Sequence, residues 1–159
     1  AKETATVITD SEERIEIKSS LQVSEAKLHI ARGDYSEAIP LLTSAKDAFH
    51  RSGDIEREVK VYGQLAYCQE KLGDILAAEQ LYLGGRELAR DSGRYDEFVN
   101  STRNLLDMLI KEKPDQRIKL IQEVYDFAMS RGLWDEARKW QNEFNLFHMS
   151  NKSNKETTI

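Results

Sequence analysis

The chain has 159 residues, a formal net charge of −5 and charged side chains at 32% of its positions. This acidic balance disfavours nucleic acid and anionic membrane surfaces as partners, because both are themselves negatively charged. No apolar run reaches the roughly 18 residues that a membrane span needs. The single cysteine, Cys68, cannot form an intramolecular disulfide, which indicates a reducing compartment, and we expect a cytoplasmic protein.

Four turn glycines recur at twenty-residue intervals, at positions 33, 53, 73 and 93. The segments between them carry apolar residues at three- and four-residue steps. That step is the period of a helix with one buried face, and a fixed interval between turns indicates a repeat architecture. Glycine supplies the left-handed backbone that ends a helix, and Asp34 is placed to cap the helix that follows Gly33.

The predicted elements begin with residues 1–10, which show no helical period and are expected to form an N-terminal tail. A first helix is predicted from position 10 or 11 to Arg32, with apolar positions at Ile17, Leu21, Ala26 and Leu28. Six further helices are predicted over 35–52, the stretches after Gly53 and Gly73, 95–112, Pro114 to Gly132, and 134 to about 149. A polar tail is expected over 151–159.

Two adjacent glycines, Gly84 and Gly85, fall in the middle of the fourth predicted helix. Each one costs a helix up to about 1 kcal/mol relative to alanine. The presence of both glycines in one helix therefore predicts that a neighbouring helix packs closely against that point. Connections of two or three residues force consecutive helices to run antiparallel, so the sequence predicts an all-α fold of helix hairpins.

The residues around Gly73 follow a pattern of large and small side chains that recurs forty residues earlier. Its six positions are occupied by Leu65, Ala66, Ile75, Ala78, Tyr82 and Gly85. Five of the six positions match around Gly33, the exception being Glu25, and the match weakens around position 113. The pattern resembles that of the tetratricopeptide repeat (TPR) family, in which the small residues allow the two helices of a hairpin to approach closely.

The resemblance implies a right-handed α-solenoid of antiparallel hairpins over residues 11–150, with about three repeats and a terminal helix. The forty-residue period is longer than the common thirty-four. It is similar to the longer repeats of Leu-Gly-Asn spindle-orientation adaptors, kinesin light chains and bacterial peptide-sensing regulators. The last helix is expected to cap the array. Alternatively, Gly132 is a turn inside a repeat, since Ala137 then occupies the alanine position.

The resemblance also implies a partner-binding groove, because the first helix of each repeat lines the concave surface in this family. The matching positions are Ser20, Val23, Ser24 and Lys27 in repeat one, Lys60, Gly63, Gln64 and Tyr67 in repeat two, and Asn100, Arg103, Asn104 and Asp107 in the third. Ser24, Gln64 and Asn104 share one position, where polar side chains can hold an extended peptide backbone. Lys27, Lys60 and Arg103 make the groove more basic than the whole chain, so the expected partner is an acidic peptide or helix of another protein. The alternative is an ordinary solvated helix face.

Catalytic, metal-binding and cofactor-binding patterns are not found. The three histidines lie far apart, and no glycine-rich phosphate-binding loop occurs. Cys68 lies beside the apolar stripe of its helix and is expected to be a core residue. We therefore expect a non-catalytic interaction scaffold or adaptor, without a cofactor. The alternative is an oligomerisation or intramolecular docking module of a larger regulatory protein, in which the C-terminal helix with Trp134 and Trp140 contacts a second copy or another domain.

Overall fold

Seven α-helices follow one another in this computed structural model, which describes the backbone of residues 2–108 and 114–156 and the side chains of 13–108 and 115–149. No strand occurs within those ranges. The helices are α1 (Lys2–Arg32), α2 (Tyr35–Ser52), α3 (Ile55–Leu72), α4 (Ile75–Asp91), α5 (Tyr95–Met108), α6 (Pro114–Ser130) and α7 (Trp134–Glu156). The predicted all-α fold is confirmed. The predicted end of the fifth helix lies outside the described residues.

The turn between α2 and α3 shows how the glycine interval determines the fold. Gly53 adopts a φ of 70° and its N–H donates to the carbonyl of His50 at 3.2 Å, while the Asp54 N–H donates to the carbonyl of Phe49 at 2.9 Å. This pair of hydrogen bonds is the Schellman arrangement that closes a helix. The Asp54 carboxylate then accepts from the amide of Arg57 at 3.0 Å and so caps α3.

Asp34 departs from the predicted capping role. It occupies the N-cap position of α2, but its side chain makes no capping hydrogen bond. The amide of Glu37, which the side chain would cap, donates instead to the Asp34 carbonyl at 3.2 Å. The carboxylate lies 3.8 Å from Nδ1 of His29, at the end of the preceding helix.

The chain divides into two compact units, Ala1–Glu97 and Phe98–Ile159. In the first unit, each of the helices from α1 to α4 packs against the next one along the chain. Because the connections are two residues long, these neighbours run antiparallel, and the unit has the consecutive packing of an α-helical repeat. Its core cluster consists of Ala26, Ala38, Leu42, Ala45, Phe49, Val61, Leu65 and Cys68. The expected core position of Cys68 is therefore confirmed.

The glycine pair of α4 lies against Tyr62 of α3, as the sequence predicts. A Cβ added to Gly85 would lie 2.8 Å from the Cβ of Tyr62 and 3.7 Å from the carbonyl oxygen of Val59. A Cβ added to Gly84 would lie 3.2 Å from Cε1 of the Tyr62 ring. The two helices thus approach more closely at Gly85 than any side chain would permit.

The second unit contains a hairpin of α6 and α7. Ile121, Val124 and Ala128 of α6 are buried, as are Ala137 and Trp140 of α7. Within each helix these residues are three or four positions apart, which is the spacing of one buried helix face. Whether α7 is a cap or part of a repeat stays a prediction.

The two terminal helices are longer than predicted. The helix α1 begins at Lys2, within the segment predicted as a tail, and α7 ends at Glu156 rather than near position 149. Neither 2–32 nor 133–156 contains a glycine or a proline, so no residue interrupts the backbone hydrogen-bond ladder. The remainder of the predicted C-terminal tail, 157–159, lies outside the described residues.

The predicted apolar face of α1 is largely wrong. Ile17, Leu21 and Leu28 are 60%, 64% and 60% exposed, whereas Ala26 is fully buried. The buried face also contains Ser19, whose hydroxyl donates to a backbone carbonyl one turn earlier. The helix α1 carries apolar residues on two sides, and the side with Val23, Ala26 and Ile30 is the one that packs into the core.

Candidate functional site

A cavity of about 480 Å³ opens between α1 and α3, with one residue of α2 in its wall. Six of the eight groove residues predicted for the first two repeats line it: Ser20, Val23, Ser24, Lys27, Lys60 and Gln64. Three residues that the sequence did not indicate complete the lining, namely Phe49, Arg57 and Val61. The repeat register therefore brings side chains forty residues apart in sequence onto one surface.

The cavity has an apolar base and a polar rim. Phe49 and Val61 are 2% and 1% exposed, whereas Ser24, Lys27 and Lys60 are exposed. Apolar walls with a few polar groups are typical of ligand-binding concavities, in which the apolar area supplies affinity and the polar groups fix orientation.

Arg57 links α3 to α1 at one end of the cavity. Its guanidinium donates to the hydroxyl of Ser20 at 3.2 Å, contacts the carboxylate of Asp54 at 2.6 Å and pairs with Glu16 of α1. The hydrogen bond to Glu16 raises the pKa of the guanidinium. The same group lies 5.2 Å from the centre of the Phe49 ring. Arg57 is thus a neutralised structural bridge rather than a free cation.

The two lysines of the rim differ in their electrostatic surroundings. Lys60 lies 2.6 Å from the carboxylate of Glu56, which also contacts Arg94 at 3.3 Å. The hydrogen bond from Lys60 holds the pKa of Glu56 below its ordinary value. Lys27 is exposed and has no ion-pair partner among the described residues. The basic character predicted for the groove is therefore concentrated at Lys27.

Gln64 carries an acceptor without a donor. Its side chain lines the cavity, and its Oε1 atom is buried with no hydrogen-bond partner among the described residues. A buried carbonyl oxygen that lacks a donor costs about 1–3 kcal/mol, which an N–H group of a bound molecule would offset. The position predicted to hold a peptide backbone is thus the one at which an acceptor is unsatisfied.

Tyr67 does not line the cavity, although the sequence placed it in the groove. Its ring packs edge-on against Tyr35, with centroids 6.0 Å apart, and Nζ of Lys71 lies 5.1 Å from its centre. Tyr67 lies almost one helical turn beyond Gln64 toward the end of α3, where the start of α2 is its neighbour.

The groove residues predicted for the third repeat lie on α5 in the second unit. Asn100, Arg103, Asn104 and Asp107 are positioned there, and the side chains of Arg103, Asn104 and Asp107 are exposed. Arg103 stacks over the ring of Trp140 at 4.7 Å and lies 3.8 Å from Glu143. Of the predicted polar file, Ser24 and Gln64 line the cavity, and Asn104 belongs to the other unit.

Comparison with known proteins yields a distant structural similarity. No protein-family model matches the chain, and no curated protein matches it. The solved structure of BtubC (BKLC) from P. vanneervenii is similar to it with a TM-score of 0.42 and 14% sequence identity. The matched region covers 88% of this chain and 66% of that one, slightly less than two thirds of its length.

Arg57 could have been found from the sequence. It precedes Lys60 by three residues and Gln64 by seven, which places all three on one face of α3. The sequence did not indicate that Phe49 lines the cavity. It lies on α2, and its position in the apolar stripe of that helix indicates only that it is buried.

Side chains of the kinds that bind metal ions do not converge in the described part of the chain. His50 lies 3.0 Å from the buried carboxylate of Glu58, and no group of three or more His, Cys, Asp or Glu side chains could hold a metal ion there. Among the described helices, none is both long enough and apolar enough to pass through a bilayer.

Proposed function

We propose that this chain is a TPR-like, right-handed α-solenoid that acts as a non-catalytic cytoplasmic adaptor and binds an extended segment of another protein in the cavity between α1 and α3. The observation that supports this function most directly is that six groove residues predicted from the repeat positions line one cavity. A solvated helix face would not require an apolar base beneath them, and Phe49 and Val61 provide one.

The chemistry of the cavity specifies the kind of segment that fits. The unsatisfied Oε1 of Gln64 requires a donor, which an extended backbone presents at every residue other than proline. Phe49 and Val61 favour an apolar side chain, and the unpaired ammonium of Lys27 favours a carboxylate nearby. The expected partner is therefore an acidic peptide with at least one apolar anchor.

A displayed library of random twelve-residue peptides tests the proposal while the natural partner is unidentified. The intact chain should enrich peptides that combine Asp or Glu with an aliphatic or aromatic residue. Fluorescence anisotropy of an enriched peptide should show that Gln64→Ala and Lys27→Ala each weaken binding about five- to twentyfold.

Arg90→Ala is the matched control for Lys27→Ala, because it removes one exposed positive charge from α4, outside the cavity. It should change the affinity less than twofold. Peptides that bind all three variants equally would rule out the cavity as the binding site. Enrichment of peptides without acidic residues would rule out the role of Lys27.

A second candidate is docking of α7 on another domain or protein. Trp134, Leu146 and Met149 are 61%, 70% and 69% exposed, while Trp140 is 1% exposed. Trp140 therefore belongs to the core of its unit, and the docking surface would be formed by the other three residues. Leu146→Lys should reduce such association without lowering the melting temperature by more than about 2 °C, because an exposed site contributes little to stability.

A further inference from the structure

The helix α1 has an apolar face opposite its buried face. Ile17, Leu21 and Leu28 are each at least 60% exposed, while Ala26 on the other side is fully buried. At about 100° per residue, the three exposed side chains lie within about 40° of one another around the helix axis. They form a stripe that no described element covers.

The stripe belongs to a longer pattern with the spacing of a coiled coil. Steps of three and four residues connect six positions, all of them exposed: Arg14, Ile17, Leu21, Ser24, Leu28 and Ala31, here called the α1 seam. Alternation of three and four is the heptad spacing at which two helices interlock side chains along a shared axis. The seam spans about 26 Å of helix.

The seam is complementary to itself when two copies run antiparallel. In the register that pairs position 17 with position 28 of the second copy, Ile17 meets Leu28, Leu21 meets Ser24, and Arg14 meets Ala31. Each large residue thus meets either a small residue or an apolar one. Every contact occurs twice, as a two-fold interface requires.

The flanking charges select the antiparallel orientation. Lys18 and Glu25 border the seam on the same side, and in that register Lys18 of each copy faces Glu25 of the other. Both are exposed and have no ion-pair partner among the described residues. A parallel pair would instead place Arg14 against Arg14 and Lys27 near Arg32, which are repulsive contacts.

We propose that the α1 seam is a homodimer interface at which two copies of this chain pair antiparallel. Ser24 belongs to both the seam and the proposed peptide cavity, but the proposal does not rest on that cavity, since the apolar stripe of Ile17, Leu21 and Leu28 does not line it. The contact is short, so it fits a reversible dimer with a dissociation constant of about 10–100 µM rather than a permanent one.

Sedimentation velocity of the full chain between 5 and 500 µM, a range set to span roughly the expected dissociation constant, tests the interface. The mass should rise from 18.3 kDa toward twice that value. Leu21→Lys should raise the dissociation constant at least about tenfold, because it places two ammonium groups in the central layers. The matched control is Leu76→Lys, at a leucine of α4 that is 67% exposed, and it should leave the dissociation constant unchanged.

A charge exchange tests the orientation. Lys18→Glu alone and Glu25→Lys alone should each weaken association about tenfold, since both convert attractive pairs into repulsive ones. The double variant restores opposite charges and should return to within about threefold of the parent chain. Three results would each overturn the proposal. They are a monomer at every concentration, an effect of Leu76→Lys equal to that of Leu21→Lys, and a double variant that associates as weakly as the single ones. In the first case a segment of another protein becomes the occupant to test.

Discussion

Replacement of Gly85 by alanine should destabilise the chain even though alanine is the better helix former. In an open helix interior the change would contribute about 1 kcal/mol of stability. At Gly85 the new Cβ would lie 2.8 Å from the Cβ of Tyr62. That atom is attached directly to the backbone of α3, so a side-chain rotation cannot move it away and the helices must separate.

The expected magnitude follows from these opposing effects. Overpacking of a close contact costs about 1–3 kcal/mol, and the propensity gain offsets about 1 kcal/mol of it. Gly85→Ala should therefore lower the free energy of unfolding by up to about 2 kcal/mol. Gly84→Ala should be nearly neutral, because its Cβ would meet the ring edge of Tyr62 at 3.2 Å, and a ring can turn.

Gly63→Ala provides the control for propensity alone. Gly63 lies inside α3, and a Cβ there would have no atom of the described residues within 4 Å other than those of its own helix backbone and its chain neighbours. Urea unfolding followed by circular dichroism should rank the stabilities as Gly63→Ala above the parent chain, then Gly84→Ala, then Gly85→Ala, with unchanged m-values. A Gly85→Ala variant as stable as Gly63→Ala would refute the close approach of α3 and α4.

Three further predictions concern single side chains. Asp54→Ala should lower the free energy of unfolding by about 1–2 kcal/mol, because the cap of α3 is lost, whereas Asp34→Ala should change it by less than about 0.5 kcal/mol; urea unfolding measures both. Burial, followed by the charge of Glu70, raises the pKa of Tyr82 from 10.0 to about 12. The folded state therefore holds this proton more tightly than the unfolded state does. The free energy of unfolding should fall by about 2–3 kcal/mol as the pH rises from below 10 to 12. Urea unfolding at several pH values should show a smaller fall for Tyr82→Phe. Burial also raises the pKa of the Cys68 thiol, so its reaction with an aromatic disulfide should be at least about a hundredfold slower in the folded chain than in urea, and equal rates would contradict its burial.

The turn chemistry and the small residues made much of the fold predictable. Glycine at a fixed interval ends α1, α2 and α3, and the aspartates after Gly53 and Gly73 cap the helices that follow; these effects act within a few residues. Gly85 indicated a close helix contact for a similar reason, since a residue unfavourable to a helix needs a tertiary cause. Local signals of this kind are sufficient to place the hairpins along the chain.

The outward face of α1 could not be predicted in the same way. Ile17 and Leu28 have the spacing of a buried stripe, and so do Val23, Ala26 and Ile30 on the opposite side of the helix. Periodicity indicates that a helix has an apolar face, but when there are two such faces it does not indicate which one packs against a neighbouring helix. The helix that packs on α1 is specified by turn geometry rather than by the residues of α1.

The electrostatics of the cavity also could not be predicted from the sequence. Lys60 and Arg57 are neutralised by carboxylates that reach them across a helical turn or from another helix. Such pairing depends on side-chain rotamers and on the distance between helices. The formal charge of the groove positions therefore overstated their basicity, and only Lys27 retains the predicted character of an unpaired cation.

The consecutive packing of the first unit has a consequence for how the chain folds. The hydrogen bond between Arg57 and Glu16 in this unit joins residues that are 41 positions apart in sequence. Proteins dominated by contacts this local fold within microseconds to milliseconds, because little loop entropy is lost before a contact forms. During synthesis, α1 and α2 can pair as soon as both have left the ribosome, and each later helix adds to a surface that already exists.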